Sequence, residues 1–181
     1  MRPGALLLDL DGTIFQGRVL VPGALGALLF LQNAQIPYRF ITNTTRMTKK
    51  KLVLLLGDMG LSVSQDDIFA APHAAAIYCQ NKGYKKILLV VPDREMAEDF
   101  SSFQLVDYNP DAIILGDMGT GFTFNLINDL FNYILGGSEL VAMHKNRFWK
   151  SADGDSMDVG AFVSALEYAS GGPAAVMGKP N

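Results

Sequence analysis

The run from Ala5 to Leu10, apolar but for Asp9 and closed by Asp11-Gly12, constrains this chain more than any other segment. A continuous apolar run of this length, bounded by a turn signal, predicts a strand covered on both faces, as in a parallel sheet. Neighbouring parallel strands must be joined by crossovers, so helices should follow. Pro22-Gly23 punctuates the chain, and Ala24 to Asn33 is a helix-length segment with apolar residues all round. Tyr38-Arg39-Phe40-Ile41-Thr42 predicts a second strand, halted by the polar cluster Asn43-Thr44-Thr45. Thr48 can cap the next helix, whose apolar face is Leu52, Val53, Leu55, Leu56 and Met59 and whose end is marked by Gly60. Strand, helix, strand, helix is the signature of an open α/β sheet with right-handed crossovers.

The alternation resumes further along. A strand-like piece at Ile68 to Ala71, a helical stretch from Ala74 to Lys82, and strands at Lys86 to Val91 and Ala112 to Gly116 suggest a second α/β unit. A helix from Thr123 to Leu135 and a strand at Leu140 to Met143 continue it, followed by the basic and aromatic turn His144 to Lys150. A helix from Ala161 to Ala169 and a short strand from Ala174 to Met177 lead into Gly178-Lys179-Pro180. No Pro- or Ser-rich linker separates the units. The expected organisation is one domain inserted into another.

With 49% hydrophobic and 18% charged residues in 181, the chain has ample material for a core, which excludes wholesale disorder. The formal charge of −3 leaves no electrostatic footprint for nucleic acid or an anionic membrane. An anionic substrate must therefore be held by a local site. Cys79 has no cysteine partner and reads as an ordinary semi-buried thiol. No apolar run reaches the ~18 residues of a membrane span, and Asp9 comes too early for a signal-peptide core. A reducing cytoplasm is the expected compartment.

Asp9-Leu10-Asp11-Gly12-Thr13 stands where ligands bind in open α/β sheets, at the carboxyl end of a strand. An Asp-Gly turn is the ordinary reading. Against it stand two carboxylates two residues apart after a strongly apolar strand. Ionised about 4 Å apart, they would repel by about 4 kcal/mol at an effective dielectric of 20. Such a pair needs a cation or a shared proton. Mg²⁺ would keep Asp9 ionised as a nucleophile, and a raised pKa would let Asp11 serve as acid and then base. Thr42 and Asn43, at the end of the second strand, offer a hydroxyl and an amide to a phosphoryl oxygen, though Thr-Asn also suits a plain turn. Lys179 alone would read as a solvated lysine.

In that order, DLDGT, a strand ending in Thr42, and a late Gly178-Lys179-Pro180 resemble the three motifs of the haloacid dehalogenase superfamily of phosphohydrolases. The long stretch between Thr42 and Lys179 resembles the inserted α/β cap of its C2, NagD-like subgroup. Ile41-Thr42-Asn43-Thr44-Thr45, His144-Lys145, Met157-Asp158-Val159-Gly160, Val163 to Ala169 and Val176 to Pro180 strengthen the resemblance. It implies a Rossmann-like core, a parallel sheet with helices on both faces, over residues 1–78. A C2 cap would span 79–162, and the chain would return to the core at 163–181.

The resemblance also implies a mechanism. Asp9 would attack phosphorus, Asp11 would protonate the leaving group and then activate water, and Mg²⁺ would bridge Asp9, the backbone carbonyl of Asp11 and the phosphate. Thr42, the Asn43 backbone and Lys179 would bind the phosphoryl oxygens of a small phosphorylated molecule, while the cap excludes water and supports a homodimer. Some members of the subgroup carry Ser where this chain has Asp11, a departure that favours phosphomonoester hydrolysis here. The family's acidic fourth motif follows the lysine, and nothing follows Asn181 in this sequence. The expectation is therefore a part of a chain of about 250 residues, with Ala5 to Leu10 left as an exposed edge and little activity by itself. The competing reading is a noncatalytic protein of the same fold that acts by binding or dimerisation.

Three further segments are read as follows. Gly116 to Gly121 lacks dinucleotide-loop spacing and reads as a cap loop. Asp153, Asp155 and Asp158 lack the order of a calcium loop and read as a polar turn. His144, Lys145, Arg147 and Trp149 either face a leaving group or form a solvated hairpin with Trp149 packed inward.

Overall fold

In the computed structural model, which describes residues 4–151 and 154–180, contacts gather the chain into two units. One comprises 1–42 with 47–70, the other 43–46 with 71–181. The sequence-based divisions at 78/79 and 162/163 differ from these for two reasons. Residues 71–82 form a helix that packs on the second unit's sheet. The 163–181 stretch adds a strand to that same sheet.

The first unit runs β1 (Leu6–Asp9), a small antiparallel hairpin of β2 (Phe15–Gln16) and β3 (Val19–Leu20), α1 (Ala24–Asn33), β4 (Tyr38–Thr42), α2 (Lys49–Asp58) and β5 (Ile68–Ala70). Thr48 starts α2 as expected, its Oγ1 accepting from the Lys51 N–H at 3.2 Å. β1, β4 and β5 form a parallel sheet in that order. Both crossovers step the same way across the sheet, so their right-handedness puts both helices on one face. That face holds the core, with Leu28 of α1, Leu52 and Leu56 of α2, Phe40 and Ile68 in one cluster. Alternate residues point the other way, and there Leu7 is 67% and Phe69 45% exposed. The expected strand covered on both faces is, within this unit, covered on one. β1 lies at the sheet's edge.

The second unit runs α3 (Ala71–Lys82), β6 (Lys86–Val90), β7 (Gln104–Leu105), β8 (Ala112–Leu115), α4 (Phe124–Leu135), β9 (Glu139–Ala142), the hairpin β10 (Phe148–Ser151) and β11 (Gly154–Met157), α5 (Val159–Ser170) and β12 (Ala175–Val176). Five of its strands make an all-parallel sheet ordered β12-β9-β8-β6-β7. Ala75 and Cys79 of α3, with Phe100 from a 3-10 segment, pack on Ile87, Ile114 and Val141. Leu130 of α4 and Val163 and Leu166 of α5 cover Val90, Ile113, Leu115 and Ala142. Helices on both faces, implied for the core, are found here. β8 is fully buried at all four positions.

Caps explain the helix starts. Thr123 caps α4, its Oγ1 accepting from Leu126 N–H at 3.2 Å. Asp158 caps α5, which therefore begins two residues before the expected Ala161. Among the described residues no helix is long and apolar enough to cross a membrane.

Candidate active site

Three of the five candidate residues belong to the first unit. β1 ends at Asp9, and the fully buried Leu10 behind it accepts from Ile14 N–H at 2.8 Å and Thr13 N–H at 3.3 Å. Gly12 N–H closes the loop onto Phe15 O at 2.7 Å, with a φ of +75° that suits glycine. Asp11 is thus held exposed on a tight loop anchored by two apolar plugs, Leu10 and Ile14. Asp9 is half-buried, and its Oδ1 accepts from the Leu10 N–H at 2.8 Å. Asp9 pairs with Ile41, so the buried Thr42 stands one residue further along the neighbouring strand. The sequence prediction that Asp9, Asp11 and Thr42 share the carboxyl edge of one sheet matches this arrangement.

Hard oxygen donors suit Mg²⁺, and the Asp9 carboxylate with the Asp11 backbone carbonyl supplies two, the octahedron being completed by water and substrate phosphate. Asp9 and Asp11 fit that donor chemistry. Among the described residues no group of three or more His, Cys, Asp or Glu side chains forms a metal cluster.

Asn43 and Lys179 belong to the second unit. β12 pairs with β9, and Met177 N–H extends the pairing to Ala142 O at 3.0 Å. Beyond it the Asn43 side chain takes over. Lys179 N–H donates to Asn43 Oδ1 at 2.8 Å, and Asn43 Nδ2 donates to Lys179 O at 3.0 Å and to Asn146 Oδ1 at 3.4 Å. A Cβ at residue 178 would lie 2.7 Å from Asn43 Oδ1 and 2.6 Å from Met143 O, so only glycine lets the segments approach. The sequence assigned Asn43 a main-chain role toward phosphate; its side chain holds Lys179.

Sequence reading missed the polar network beside this pair. Arg46 binds Asp117 Oδ2 through Nη2 at 2.6 Å and Nε at 3.1 Å, while its guanidinium lies 5.5 Å from the Trp149 ring centre. Asp117 Oδ1 also accepts from Gly119 N–H at 2.8 Å, and Asp117 N–H donates to Thr45 Oγ1 at 3.1 Å. The loop 116–121 is thus built around an internal ion pair, consistent with a structural loop. Trp149 is 39% exposed rather than packed inward. Lys145 pairs with Glu167 at 2.5 Å.

His144 is buried, with Nε2 3.9 Å from Asp158 Oδ1. Burial pushes the His144 pKa below its ordinary value, opposed by the Asp158 and Asp117 charges. Gly160 is the sequence signal for this packing: a Cβ there would lie 2.6 Å from Lys145 O, so α5 can approach the 144–146 turn only with glycine. Of the three aspartates in the polar turn, Asp153 lies outside the described residues, Asp155 is exposed and Asp158 caps α5. Cys79 is fully buried, and burial pushes its thiol up to about 12.

Comparison with known proteins places these features. Residues 6–105 match the haloacid dehalogenase-like hydrolase family. The chain is 38% identical over 176 residues to human haloacid dehalogenase-like hydrolase domain-containing protein 2, covering 97% of this chain and 66% of that protein. It is 31% identical over 183 residues to bovine phospholysine phosphohistidine inorganic pyrophosphate phosphatase, again 97% of this chain and 66% of the relative. The chain thus spans 66% of the length of these two curated relatives. In fold it is similar to NagD from E. coli K-12, with a TM-score of 0.85 at 22% identity, covering 100% of this chain and 71% of that one. On its sequence match the chain belongs to the haloacid dehalogenase-like hydrolase family.

Proposed function

We propose that this chain carries the nucleophile and phosphate-binding residues of a Mg²⁺-dependent phosphatase acting on a small phosphorylated molecule. The observation that supports this best is the placement of Asp9 and Asp11 on a pinned loop at the carboxyl end of β1, with Thr42 ending the adjacent strand. A carboxylate at Asp9 attacks phosphorus, forming an Oδ–P bond as the bond to the leaving oxygen breaks. Asp11 gives that oxygen its proton, then takes a proton from water. The resulting hydroxide breaks the Asp9–phosphorus bond and frees inorganic phosphate. The Thr42 hydroxyl, the Asn43 main-chain N–H and the Lys179 ammonium neutralise phosphoryl oxygens as charge shifts. The Asp9 carboxylate and the Asp11 backbone carbonyl would hold Mg²⁺, which supplies positive charge against the phosphate. Residues 79–162, within the second unit, would serve as the cap and select the leaving group.

The name of the bovine phosphatase supports phosphoryl hydrolysis, with phosphoester, phosphoamide and pyrophosphate bonds as candidate targets. The test is phosphate release from an aryl phosphate with Mg²⁺ by the full-length protein. Asp9→Asn should lower turnover at least about 10³-fold. Equal release by Asp9→Asn and the parent refutes the nucleophile; no release by the parent favours the binding-protein reading.

A further inference from the structure

We propose that Asn43 is a positioning residue whose side-chain amide sets the main chain of Lys179 and so fixes where its ammonium meets phosphate. The identity of the ligand rests on the phosphatase reading above. The geometry of the grip does not.

Lys179 stands just past the end of sheet pairing. Met177 still bonds to Ala142, but β12 itself ends at Val176. The next residue, Gly178, has the greatest backbone freedom of any type. It is also required there, because any side chain would collide with Asn43 Oδ1 and Met143 O. The close approach that demands glycine therefore loosens the chain immediately before Lys179. Asn43 removes that looseness from 136 residues away, taking the Lys179 N–H on its oxygen and the Lys179 carbonyl on its nitrogen.

The two bonds reproduce with a side chain what a neighbouring strand would have supplied. They need an acceptor and a donor on one rigid plane at this length, which asparagine provides. Aspartate keeps the acceptor but sets a carboxylate oxygen against the Lys179 carbonyl. Alanine provides neither group.

The position of this residue also gives the grip a purpose. Asn43 follows Thr42 directly in sequence, and its side chain holds the main chain of Lys179, the cation that the proposed function assigns to phosphate. A fixed ammonium costs less ordering when the anion arrives.

The test is a double-mutant cycle on affinity for inorganic phosphate in the presence of Mg²⁺, using the whole chain. Asn43→Ala and Lys179→Ala should each weaken binding about tenfold, and the double variant should be no weaker than Lys179→Ala alone, because Asn43 acts through Lys179. Hydrogen exchange provides the second readout. In Asn43→Ala the Lys179 amide should lose protection while the amides of β8 keep theirs, showing an intact fold. Asn43→Asp, which preserves size, should weaken binding as Asn43→Ala does.

Parent-like phosphate affinity in Asn43→Ala overturns the proposal. So do multiplicative losses in the double variant, or a parent chain that binds no phosphate. A chain that shows the coupled cycle yet releases no phosphate from an aryl ester fails the phosphatase reading and leaves this inference standing.

Discussion

β1 and β8 are both short, parallel and apolar, yet one is half-open and the other sealed. β8 is the middle of five strands with helices packed on both its faces, and none of its residues is exposed. β1 is the edge of three strands whose helices lie on one face, and Leu7 is 67% exposed. The difference comes from connection order. Crossovers that step in one direction stack their helices on one side, while the second unit's chain runs outward to β7 and then returns past β6 to β8, β9 and β12. An apolar run therefore reports what a strand can tolerate, and topology decides what covers it.

The comparison would break most visibly under a buried charge. Ile114→Asp puts a carboxylate into a dry layer and should destabilise the second unit by more than about 4 kcal/mol. Leu7→Asp should leave the circular dichroism spectrum and melting temperature close to those of the parent. Equal collapse of both variants would show that Leu7 is covered in solution. A gentler version trims side chains: Ile113→Ala should cost about 2–5 kcal/mol by urea unfolding, and Leu7→Ala less than about 1 kcal/mol.

The smallest effect concerns acidity. Both histidines of the chain, His73 and His144, lie in the second unit. Because the folded pKa of His144 lies below the unfolded value of about 6.5, the unfolded chain takes the proton first as pH falls. Stability should thus be lost as pH drops below about 6.5, down to the folded pKa. His144→Gln should flatten the melting temperature across that window; an unchanged slope would remove His144 as its source.

Much of the fold was legible in local periodicity. The spans of α1 and β4 match the residues the pattern named, and Thr48 and Thr123 cap the helices after them. The pattern could not say that α1 and α2 share one face, because that follows from strand order. Nor could it place 43–46 with the second unit, since that depends on the bonds of Asn43, Thr45 and Arg46 to residues 71 or more positions away. In the site, Asp9 and Thr42 were visible because each ends a strand, and Asp11 because it stands in the turn directly after Asp9. Asn43 reads in sequence as a turn residue, and its use as a clasp depends on Gly178, whose need for a bare Cα is only evident once Met143 and Asn43 are seen against it.

The reach of that clasp has a consequence for the order of events during synthesis. A chain made from its N-terminus has completed β1, β4 and β5, and four of the five strands of the larger sheet, before β12 emerges. Asn43 is available early and waits while the chain up to Lys179, 136 positions on, is made and the loop closed. Lys179 is therefore the last of the five candidate residues to be made, and the Asn43 side chain gains its main-chain partner only once that residue has emerged.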